Sequence, residues 1–488
     1  MKILRRFLTL MALVVIMILN TSVCVLAADN NDDYLHTSGN KILDANNNEV
    51  RLTGIAWFGF ETPDYVFHGL WEKSGMKAII NKIADCGFNL VRVPLSVEMI
   101  NQWRKGSSTK PSSIDYNVNP ELKGKSSEEV LDVAIDYFKK AGIKVMFDMH
   151  RIEAAGQKCT WYTDKYTTDD FEECWKYIIN KYKNDDTVIA ADLFNEPHGQ
   201  GYYSEGFAKW DDSKDQNNWK YEAEKVSKVI LDINPNLLVM VEGIESYPKE
   251  GCTYADKGMD QYYGGWWGGN LRGVKDHPID LGSYKNKVVY APHDYGPGVS
   301  NQPWFEKDFT VETLKKDVWG PNWLYIYDQN IAPILIGEWG GRLDGGKNEM
   351  WLNDMAKLIK DNKLNHTFWC VNPNSGDTGG IFKGDFITLE EEKYNIVKPT
   401  LWQTDEGKFI GLDHKINLGQ NGTHIQTKEK IIKGDVDGNG VVDVSDLVKL
   451  RKYIMYNKKH VKVNEKNADV SDDGQVNMAD LILLKGML

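Results

Sequence analysis

The sequence predicts an α/β fold in which a (β/α)8 TIM barrel is followed by a small all-α domain. Two observations predict the barrel. Eight short β-branched or apolar runs recur along the chain, and stripes with apolar residues at positions i, i+3, i+4 and i+7 lie between several of them. A third observation, a pair of similar acidic loops near the carboxyl end, predicts the second domain.

The predicted strands occupy residues 51–58, 88–94, 144–150, 188–197, 237–243, 287–295, 331–339 and 366–372. The helical stripes fall within residues 76–83, 130–137, 171–182, 226–233 and 351–359. Strands that alternate with helices form a parallel sheet, and eight such strands close into a barrel. We therefore expect the functional side chains at the carboxyl ends of these strands.

The first 28 residues are typical of a secretory signal. Lys2, Arg5 and Arg6 precede an almost wholly apolar stretch, residues 7–25, and small residues near Ala27 resemble a cleavage site. The rest of the chain has no second apolar stretch long enough to span a membrane. We therefore expect an exported, soluble protein that is secreted to the cell exterior.

Charge and cysteine content exclude several classes of function. Acidic residues outnumber basic ones 70 to 58, which argues against nucleic acid or an anionic membrane as a partner. The five cysteines after the signal segment lack C-x-x-C spacing, so they indicate neither a zinc site nor a redox motif. We expect these cysteines to be buried thiols, because a chain of this size needs no disulfides.

The predicted strand ends carry side chains suited to breaking a glycosidic bond. Turn-forming residues would be usual there, but these ends carry acids, imidazoles, a guanidinium, a phenol and indoles: Trp57, Arg92, His150, Asn195, Glu196, Glu242, His293, Tyr295, Glu338 and Trp369. Glycoside hydrolysis requires two carboxyl groups, one protonated and one ionised. Each residue alone could equally be part of the core, so the prediction depends on their meeting at one rim.

The expected roles follow from this chemistry. Arg92 and Tyr295 would keep Glu338 ionised through a positive charge and a donated hydrogen bond. Asn195 could bind a sugar hydroxyl, and Trp369 offers a face for a pyranose ring. His150 and His293 are expected in the hydrogen-bond and proton network. The residues alone leave Glu242 as a rival for one of the two catalytic carboxyl groups.

Seven motifs in order resemble glycoside hydrolase family 5 over roughly residues 34–412. They include Asn195-Glu196-Pro197, Ile336-Gly337-Glu338-Trp339, Arg92, His150, His293-Asp294-Tyr295 and Trp369. Residues 54–62 and 264–270 resemble the bacterial endoglucanases of that family. The resemblance implies a retaining endo-β-1,4-glucanase without a catalytic cofactor, with Glu196 as acid/base, Glu338 as nucleophile and Glu242 in a supporting role. The retaining mechanism implies carboxyl groups about 5–5.5 Å apart.

An endo-acting enzyme of this kind is expected to have an open cleft lined with indoles. We predict stacking platforms at Trp57, Trp266 and Trp267 and a polar contact at His68, although the indoles could equally pack under long loops. Two alternatives stay open at this point. The same mechanism could act on mannan, xylan or xyloglucan, or the barrel could bind glycan without cutting it.

The carboxyl-terminal loops have the spacing of EF-hand calcium sites. Oxygen ligands at positions 1, 3, 5, 7, 9 and 12 of each loop predict two Ca²⁺ ions. The ligands are Asp435, Asp437, Asn439, Val441, Asp443 and Asp446 in the first loop, and Asp469, Ser471, Asp473, Gln475, Asn477 and Asp480 in the second. Val441 and Gln475 would contribute backbone carbonyls.

An amphipathic run follows each loop, but no long helix precedes it, and this duplicated arrangement resembles a type I dockerin. The resemblance implies docking to a cohesin module of a scaffold protein, and hence assembly into a cellulosome. Val444, Ser445, Met478 and Ala479 occupy the positions that select the partner in that family. The alternative is calcium that only stabilises the fold. The predicted organisation is signal 1–28, barrel 29–415, linker 416–432 and dockerin 433–488.

Overall fold

The computed structural model describes residues 33–201, 206–425, 431–439, 441–456 and 461–488. The predicted signal segment, 1–28, lies outside these residues. The chain divides into two compact units, with the boundary between Ile425 and Gln426.

The first unit is an eight-stranded parallel barrel. Its strands are β1 (Thr53–Ala56), β2 (Leu90–Ser96), β3 (Lys144–Arg151), β4 (Val188–Asp192), β5 (Leu238–Val241), β6 (Val288–Tyr290), β7 (Leu335–Trp339) and β8 (Asn365–Phe368). They are hydrogen-bonded in the order β6-β5-β4-β3-β2-β1-β8-β7. Parallel bridges between Tyr290 and Ile334 and between His293 and Glu338 close β6 onto β7. The predicted TIM barrel is confirmed.

Helices surround the barrel, and five of those described, α1, α3, α4, α5 and α8, lie where the apolar stripes predicted them. They are α1 (Met76–Asp85), α2 (Val97–Arg104), α3 (Ser127–Lys140), α4 (Thr168–Tyr182), α5 (Trp219–Ile233), α6 (Val311–Leu314), α7 (Tyr325–Asp328), α8 (Lys347–Asn362) and α9 (Glu391–Val397). A π-helical segment, Lys315–Leu324, joins α6 to α7. Capping boxes begin α3 at Ser126 and α4 at Thr167, where a hydroxyl and an acid three residues later satisfy the free backbone N–H groups.

Several shorter elements complete the first unit. A three-stranded antiparallel sheet precedes the barrel, and a two-stranded hairpin follows β5. The sheet contains His36–Ser38, Lys41–Leu43 and Glu49–Val50, and the hairpin pairs Ser246–Pro248 with Tyr262–Gly264. The 3-10 turns are Pro120–Leu122, Met259–Gln261, Arg272–Lys275, Gly282–Lys287, Pro303–Phe305 and Lys398–Thr400.

Five of the eight barrel strands, β1, β4, β5, β6 and β8, end earlier than predicted. The strand predicted over 188–197 ends at Asp192, because the chain turns out of the sheet and Glu196 adopts a positive φ of 54°. A side chain in this left-handed region is uncommon and points to a local constraint. The catalytic candidates therefore lie in the turns that leave the sheet as well as on the strands.

The first unit extends beyond the predicted barrel boundary at 415. Leu418 and Ile425 are buried in its core, and the Gly411 backbone N–H donates a hydrogen bond to the Thr423 carbonyl. The predicted linker, 416–432, therefore overlaps the barrel unit as far as Ile425. These residues are polar overall, which is why composition alone suggested a linker.

A buried ion cluster joins both ends of the first unit beneath the barrel. Lys144, the first residue of β3, lies 2.5 Å from Asp33 and 3.1 Å from Asp413 through its Nζ atom. His414 Nδ1 lies 2.6 Å from Asp33 Oδ1, and its Nε2 lies 3.2 Å from Asp44 Oδ2. The hydrogen bond to Asp33 raises the pKa of His414, so the charged imidazole stabilises the fold.

In the described residues of the second unit there are three short helices, α10 (Val444–Met455), α11 (Glu465–Ala468) and α12 (Met478–Met487). Its small core contains Val436, Leu450, Tyr453, Ala468, Val476 and Leu484. The predicted all-α second domain is confirmed.

Three of the five cysteines agree with the expectation of buried thiols. The five cysteines in the described part of the chain are free. Cys86, Cys174 and Cys370 are buried, whereas Cys159 and Cys252 are only half-buried. Among the described residues, no helix is both long and apolar enough to cross a membrane.

We expect His414→Leu to destabilise the first unit by about 1.5–3 kcal/mol at slightly acidic pH, the usual contribution of a hydrogen bond to a charged group. Because the folded pKa of His414 is raised, its contribution is complete below about pH 6.5 and is lost as pH rises through the folded pKa. The difference in thermal unfolding midpoint between wild type and variant should therefore shrink at alkaline pH. His36, which bonds only Asn47 at the surface, provides the control His36→Leu. If the difference in unfolding midpoint between wild type and His414→Leu were the same at all pH values, a stabilising charge on His414 would be contradicted.

Candidate active site

A cleft of about 1,020 Å³ opens at the carboxyl ends of the barrel strands. Arg92, His150 and Glu338 belong to β2, β3 and β7 themselves. Asn195 and Glu196 follow β4, Glu242 follows β5, His293 and Tyr295 follow β6, and Trp369 follows β8. The structure thus brings together at one rim the residues that the sequence placed at strand ends.

Arg92 is the centre of the polar network. It is fully buried, and its guanidinium lies 2.5 Å from Glu338 Oε1, 2.8 Å from Asp192 Oδ2 and 3.2 Å from Asp148 Oδ2. It also donates a 2.9 Å hydrogen bond to Asn195 Oδ1. A buried charge needs such partners, because an unpaired one would be costly.

Glu338 is held in its ionised form. The Tyr295 hydroxyl donates a 2.6 Å hydrogen bond to its Oε2 atom. Burial alone would raise the pKa of Glu338, but the positive charges of His293 and Arg92 and the Tyr295 hydrogen bond outweigh burial and lower it. Glu338 is therefore a carboxylate at neutral pH, with one oxygen bonded to Arg92 and the other to Tyr295.

Glu196 has the opposite electrostatic environment. Burial, together with the negative charge of Glu338, raises its pKa despite the hydrogen bond from His293. His293 Nδ1 lies 3.1 Å from Glu196 Oε1, while its Nε2 lies 3.1 Å from Glu242 Oε1. The imidazole thus connects Glu196 to a second buried carboxyl group.

Glu242 fixes the strained backbone at Glu196. Its Oε2 atom accepts a 2.7 Å hydrogen bond from the Glu196 backbone N–H, and burial raises its own pKa well above the usual range. The loop above it passes so closely at Gly268 that an added Cβ would lie 2.2 Å from Glu242 Oε2. Gly268 also has a φ of 67°, so both space and conformation require glycine there.

Glu196 and Glu338 face each other across a short gap. Together with His293, each offers one atom, and these atoms lie within 4.8 Å of one another. One carboxyl group has a raised pKa and the other a lowered one. In such a pair, the protonated carboxyl group can donate a proton on one side of a bond, and the ionised one can act as a nucleophile or stabilise positive charge on the other.

His150 and Trp369 form an adjacent part of the cleft wall. Their rings stack with centroids 5.4 Å apart, and the Trp369 indole also stacks on Phe58 at 5.6 Å. His150 Nδ1 lies 2.6 Å from Asp148 Oδ2. Burial lowers the pKa of His150 well below its usual range, so the ring is neutral.

The two loops of the second unit have matching internal geometry. In the first, Asp446 accepts hydrogen bonds from the backbone of Asp437 and Asp443. In the second, Asp480 accepts them from Ser471 and Asn477, which occupy the same loop positions. Each final acid therefore holds the loop in a turn, and its side chain also caps the first turn of the helix that follows.

The first loop fits a calcium ion. Oxygens of Asp435, Asp437 and Asp446 lie within 4.8 Å of one another. Calcium binds oxygen at about 2.3–2.6 Å, so two ligands of one ion lie at most about 5 Å apart. The side chains of Val444, Ser445, Met478 and Ala479, at the starts of α10 and α12, are exposed.

Comparison with known proteins agrees with both units. Residues 43–375 match the sequence model of cellulase (glycosyl hydrolase family 5), and residues 433–488 match the dockerin type I domain. Endoglucanase G of Acetivibrio thermocellus is 46% identical over 90% of this chain and 88% of its own. The chain belongs to glycosyl hydrolase family 5.

Further relatives of this family 5 cellulase cover most of the chain. Endoglucanase B of Acetivibrio thermocellus is 39% identical over 88% of this chain and 87% of its own. The solved endocellulase of Pyrococcus horikoshii superposes with a TM-score of 0.67 at 33% identity, covering 76% of this chain and 98% of that one. The resemblance to family 5 with a carboxyl-terminal type I dockerin is confirmed.

Trp57 is not a stacking platform of the cellulase cleft. The side chain is fully buried, stacks on Phe67 with centroids 4.1 Å apart, and donates its indole N–H to the His68 carbonyl. The prediction was wrong because neighbouring residues at a strand end point to opposite sides. Phe58, the next residue, lines the cleft instead.

The other predicted platforms do line the cleft. Trp266 is nearly buried, with its ring against Tyr295, whereas Trp267 is 42% exposed and stacks on His198 at 3.8 Å. His68 also faces the cleft, where its Nε2 lies 2.9 Å from Asp64 Oδ2 and its Nδ1 3.0 Å from Asn374 Nδ2.

Several residues of the site were missed by sequence reasoning. Asp148 and Asp192 bind Arg92, and Trp304 lines the cleft. A signal for the two acids was present: each is an acidic residue inside or at the end of an otherwise apolar strand. Burial raises the pKa of Asp148 to about 7 and that of Asp192 to about 6. Trp304 lies in a long loop and carried no comparable signal.

We expect Trp57→Ala to lower stability by about 3–5 kcal/mol, the usual cost of removing a buried tryptophan, and to leave KM for a soluble glucan unchanged in the folded fraction. Trp267→Ala is the matched control, because its exposed ring should cost about 1 kcal/mol or less and should raise KM. Thermal unfolding and steady-state kinetics measure both effects. A raised KM in the folded Trp57 variant would contradict its placement in the core.

Proposed function

We propose that this family 5 cellulase is a secreted endo-β-1,4-glucanase that hydrolyses internal glucosidic bonds with retention of configuration. The observation that carries the proposal is the pair of carboxyl groups, whose oxygens lie within 4.8 Å. Retaining enzymes have carboxyl groups about 5–5.5 Å apart, and inverting enzymes leave a wider gap for water. The opposite pKa shifts support Glu196 as the proton donor and Glu338 as the nucleophile.

The reaction proceeds in two displacements. A Glu338 carboxylate oxygen forms a bond to the anomeric carbon while the bond to the leaving oxygen breaks, and Glu196 gives that oxygen its proton. In the second step Glu196 takes a proton from water, whose oxygen attacks the anomeric carbon and releases Glu338. Both carboxyl groups return to their starting protonation states.

Each neighbouring residue has a distinct part in these steps. Arg92 and Tyr295 hold both oxygens of Glu338 and keep it ionised. His293 links Glu196 to Glu242 and orients the acid. Because Asn195 Oδ1 accepts a hydrogen bond from Arg92, its amide group is fixed and can donate to a sugar hydroxyl, a contact that strengthens in the transition state. His150, held by Asp148, completes the wall of this subsite.

The shape and lining of the cleft support a glucan chain as substrate. Trp369, Trp266 and Trp267 present indoles along a cleft that also contains the polar groups of His68 and Glu245. Pyranose rings with equatorial hydroxyls have apolar faces that stack on indoles. Relatives named endoglucanase cover most of the chain at 39–46% identity. These observations favour β-1,4-glucan over mannan or xylan.

The second unit attaches the enzyme to a scaffold. We infer that the dockerin, residues 433–488, binds two calcium ions and docks to a cohesin module, so that the enzyme acts outside the cell within a cellulosome. The matched loops and the exposed Val444, Ser445, Met478 and Ala479 support this. We also propose that residues 1–28 are removed as a signal peptide and that a short linker precedes residue 433.

Proton NMR of fresh products tests the mechanism. We expect hydrolysis of soluble cellulose to release the β-anomer first, with slow appearance of the α-anomer by mutarotation. Glu338→Gln should lose activity by about a thousandfold or more, since the nucleophile is absent, while Glu245→Gln, which alters an acid farther along the cleft, should keep retention. Initial release of the α-anomer, or wild-type rates in the Glu338 variant, would overturn the assignment. Parallel reducing-sugar assays on mannan and xylan would identify the substrate.

Cohesin binding should require calcium. We expect the double variant Asp446→Ala, Asp480→Ala to lose binding to a type I cohesin and to lose calcium-induced protection against proteolysis, because the last ligand of each loop is removed. Asp472→Ala is the control: Asp472 lies within the second loop but is not one of its predicted ligands, is 77% exposed and pairs with Lys433. Calorimetry with and without chelator measures both. Cohesin binding that persists in chelator would contradict the proposal.

A further inference from the structure

A second cavity, of about 660 Å³, lies outside the catalytic cleft. One hairpin, Ser246–Pro248 paired with Tyr262–Gly264, forms a wall of both spaces. Tyr247 and Tyr263 are directly opposite in the hairpin register and line the second cavity, whereas Tyr262 and Gly264 line the cleft. Because side chains alternate along a strand, the hairpin presents one face to each space.

The lining of the second cavity combines aromatic rings with charges of both signs. Four tyrosines and one tryptophan face it, namely Tyr247, Tyr254, Tyr263, Tyr325 and Trp210. Three acidic and three basic side chains also line it: Asp211, Glu250, Asp276, Lys249, Arg272 and Lys275. The volume is within the range of about 300–1,000 Å³ that is usual for small-molecule sites.

The cavity lining has as many acidic side chains as Lys and Arg side chains, three of each. The Tyr263 hydroxyl donates a 2.6 Å hydrogen bond to Glu250, and the Arg272 guanidinium lies 4.1 Å from the centre of the Tyr263 ring. An anion or a cation would therefore meet as much repulsion as attraction. A neutral ligand with many hydroxyl groups suits the lining better, since it offers donors and acceptors to both kinds of charge and apolar faces to the rings.

We propose that this cavity is an accessory site for a β-1,4-glucan segment, separate from the cleft where bonds are cut. The assignment to glucan depends on the proposed function, because the hairpin shares a wall with the cleft that takes that polymer. A glucan bound there would hold polymeric substrate close to the active site without contacting Glu196 or Glu338.

Cys252 provides a direct reporter of occupancy. Its free thiol is half-buried and lines the cavity. Cys159 is the other half-buried thiol among the described residues, and it does not line the cavity. The test uses residues 29–488 with two substitutions: Cys159→Ser removes the other half-buried thiol, and Glu338→Gln keeps cellohexaose intact. Alkylation of Cys252 by iodoacetamide is then followed by mass spectrometry.

We expect cellohexaose at ten times its dissociation constant to slow Cys252 alkylation about tenfold, because only about one site in eleven stays free. Maltohexaose, with the same composition and a different linkage, is the ligand control. Tyr247→Ala should abolish the protection and leave kcat/KM for a short chromogenic cellobioside unchanged when Glu338 is intact. Gln329→Trp, which fills the cavity from its exposed opposite wall, is the second variant should the first fail to fold.

Equal alkylation rates with and without cellohexaose would overturn the proposal, as would protection that survives in both cavity variants. The second result would mean that protection is transmitted from the cleft. The proposed function is judged separately, by hydrolysis of soluble cellulose. If the enzyme hydrolyses soluble cellulose but cellohexaose does not slow Cys252 alkylation, only the accessory site is wrong. If the enzyme does not hydrolyse soluble cellulose, the proposed function is wrong, whatever the alkylation rate of Cys252.

Discussion

The active site depends on one buried guanidinium. Arg92 lies in β2 and contacts groups delivered by β3, β4 and β7 and by the turn after β4, so a single side chain joins much of the barrel rim. Burying a charge is costly unless it is fully paired. Removing Arg92 would leave Asp148, Asp192 and Glu338 buried without the cation that they share. The arrangement therefore ties the stability of the rim to the geometry of catalysis.

Arg92 acts with His293 and Tyr295 to make neighbouring carboxyl groups differ in pKa. Burial raises the pKa of Asp148, Asp192, Glu196 and Glu242, and only Glu338 has enough positive charge and hydrogen bonding to reverse that effect. Glu196 lies beside the negative charge of Glu338, and its pKa is raised by burial and by that charge despite the His293 hydrogen bond. The different roles proposed for the acid and the nucleophile thus follow from the charges of His293 and Arg92 and the Tyr295 hydrogen bond, which together lower the pKa of Glu338.

The sequence predicted the barrel, five of its helices and the catalytic candidates. These depend on the periodicity of apolar residues along short segments and on the positions where parallel strands end. The matched hydrogen bonding of the two acidic loops is likewise local, since each loop is one short segment. Trp57 was misplaced because sequence does not tell which of two adjacent residues at a strand end faces the cleft. Trp304 and the second cavity were missed because loops and a π-helical segment, distant in sequence, assemble them. The extension of the barrel unit to Ile425 was missed because polar residues there pack through backbone hydrogen bonds.

The cluster around Lys144 has a mechanical consequence. Lys144 begins β3, at the end of the barrel opposite the cleft, and it binds Asp33 and Asp413 from the two termini of the unit. The Ile425 backbone, where the unit ends, donates a hydrogen bond to the Asp413 carbonyl. A pulling force applied to the chain beyond residue 425 would therefore act first on the part of the barrel unit that holds this ion cluster. The proposed catalytic residues lie at the opposite end of the barrel, away from that point.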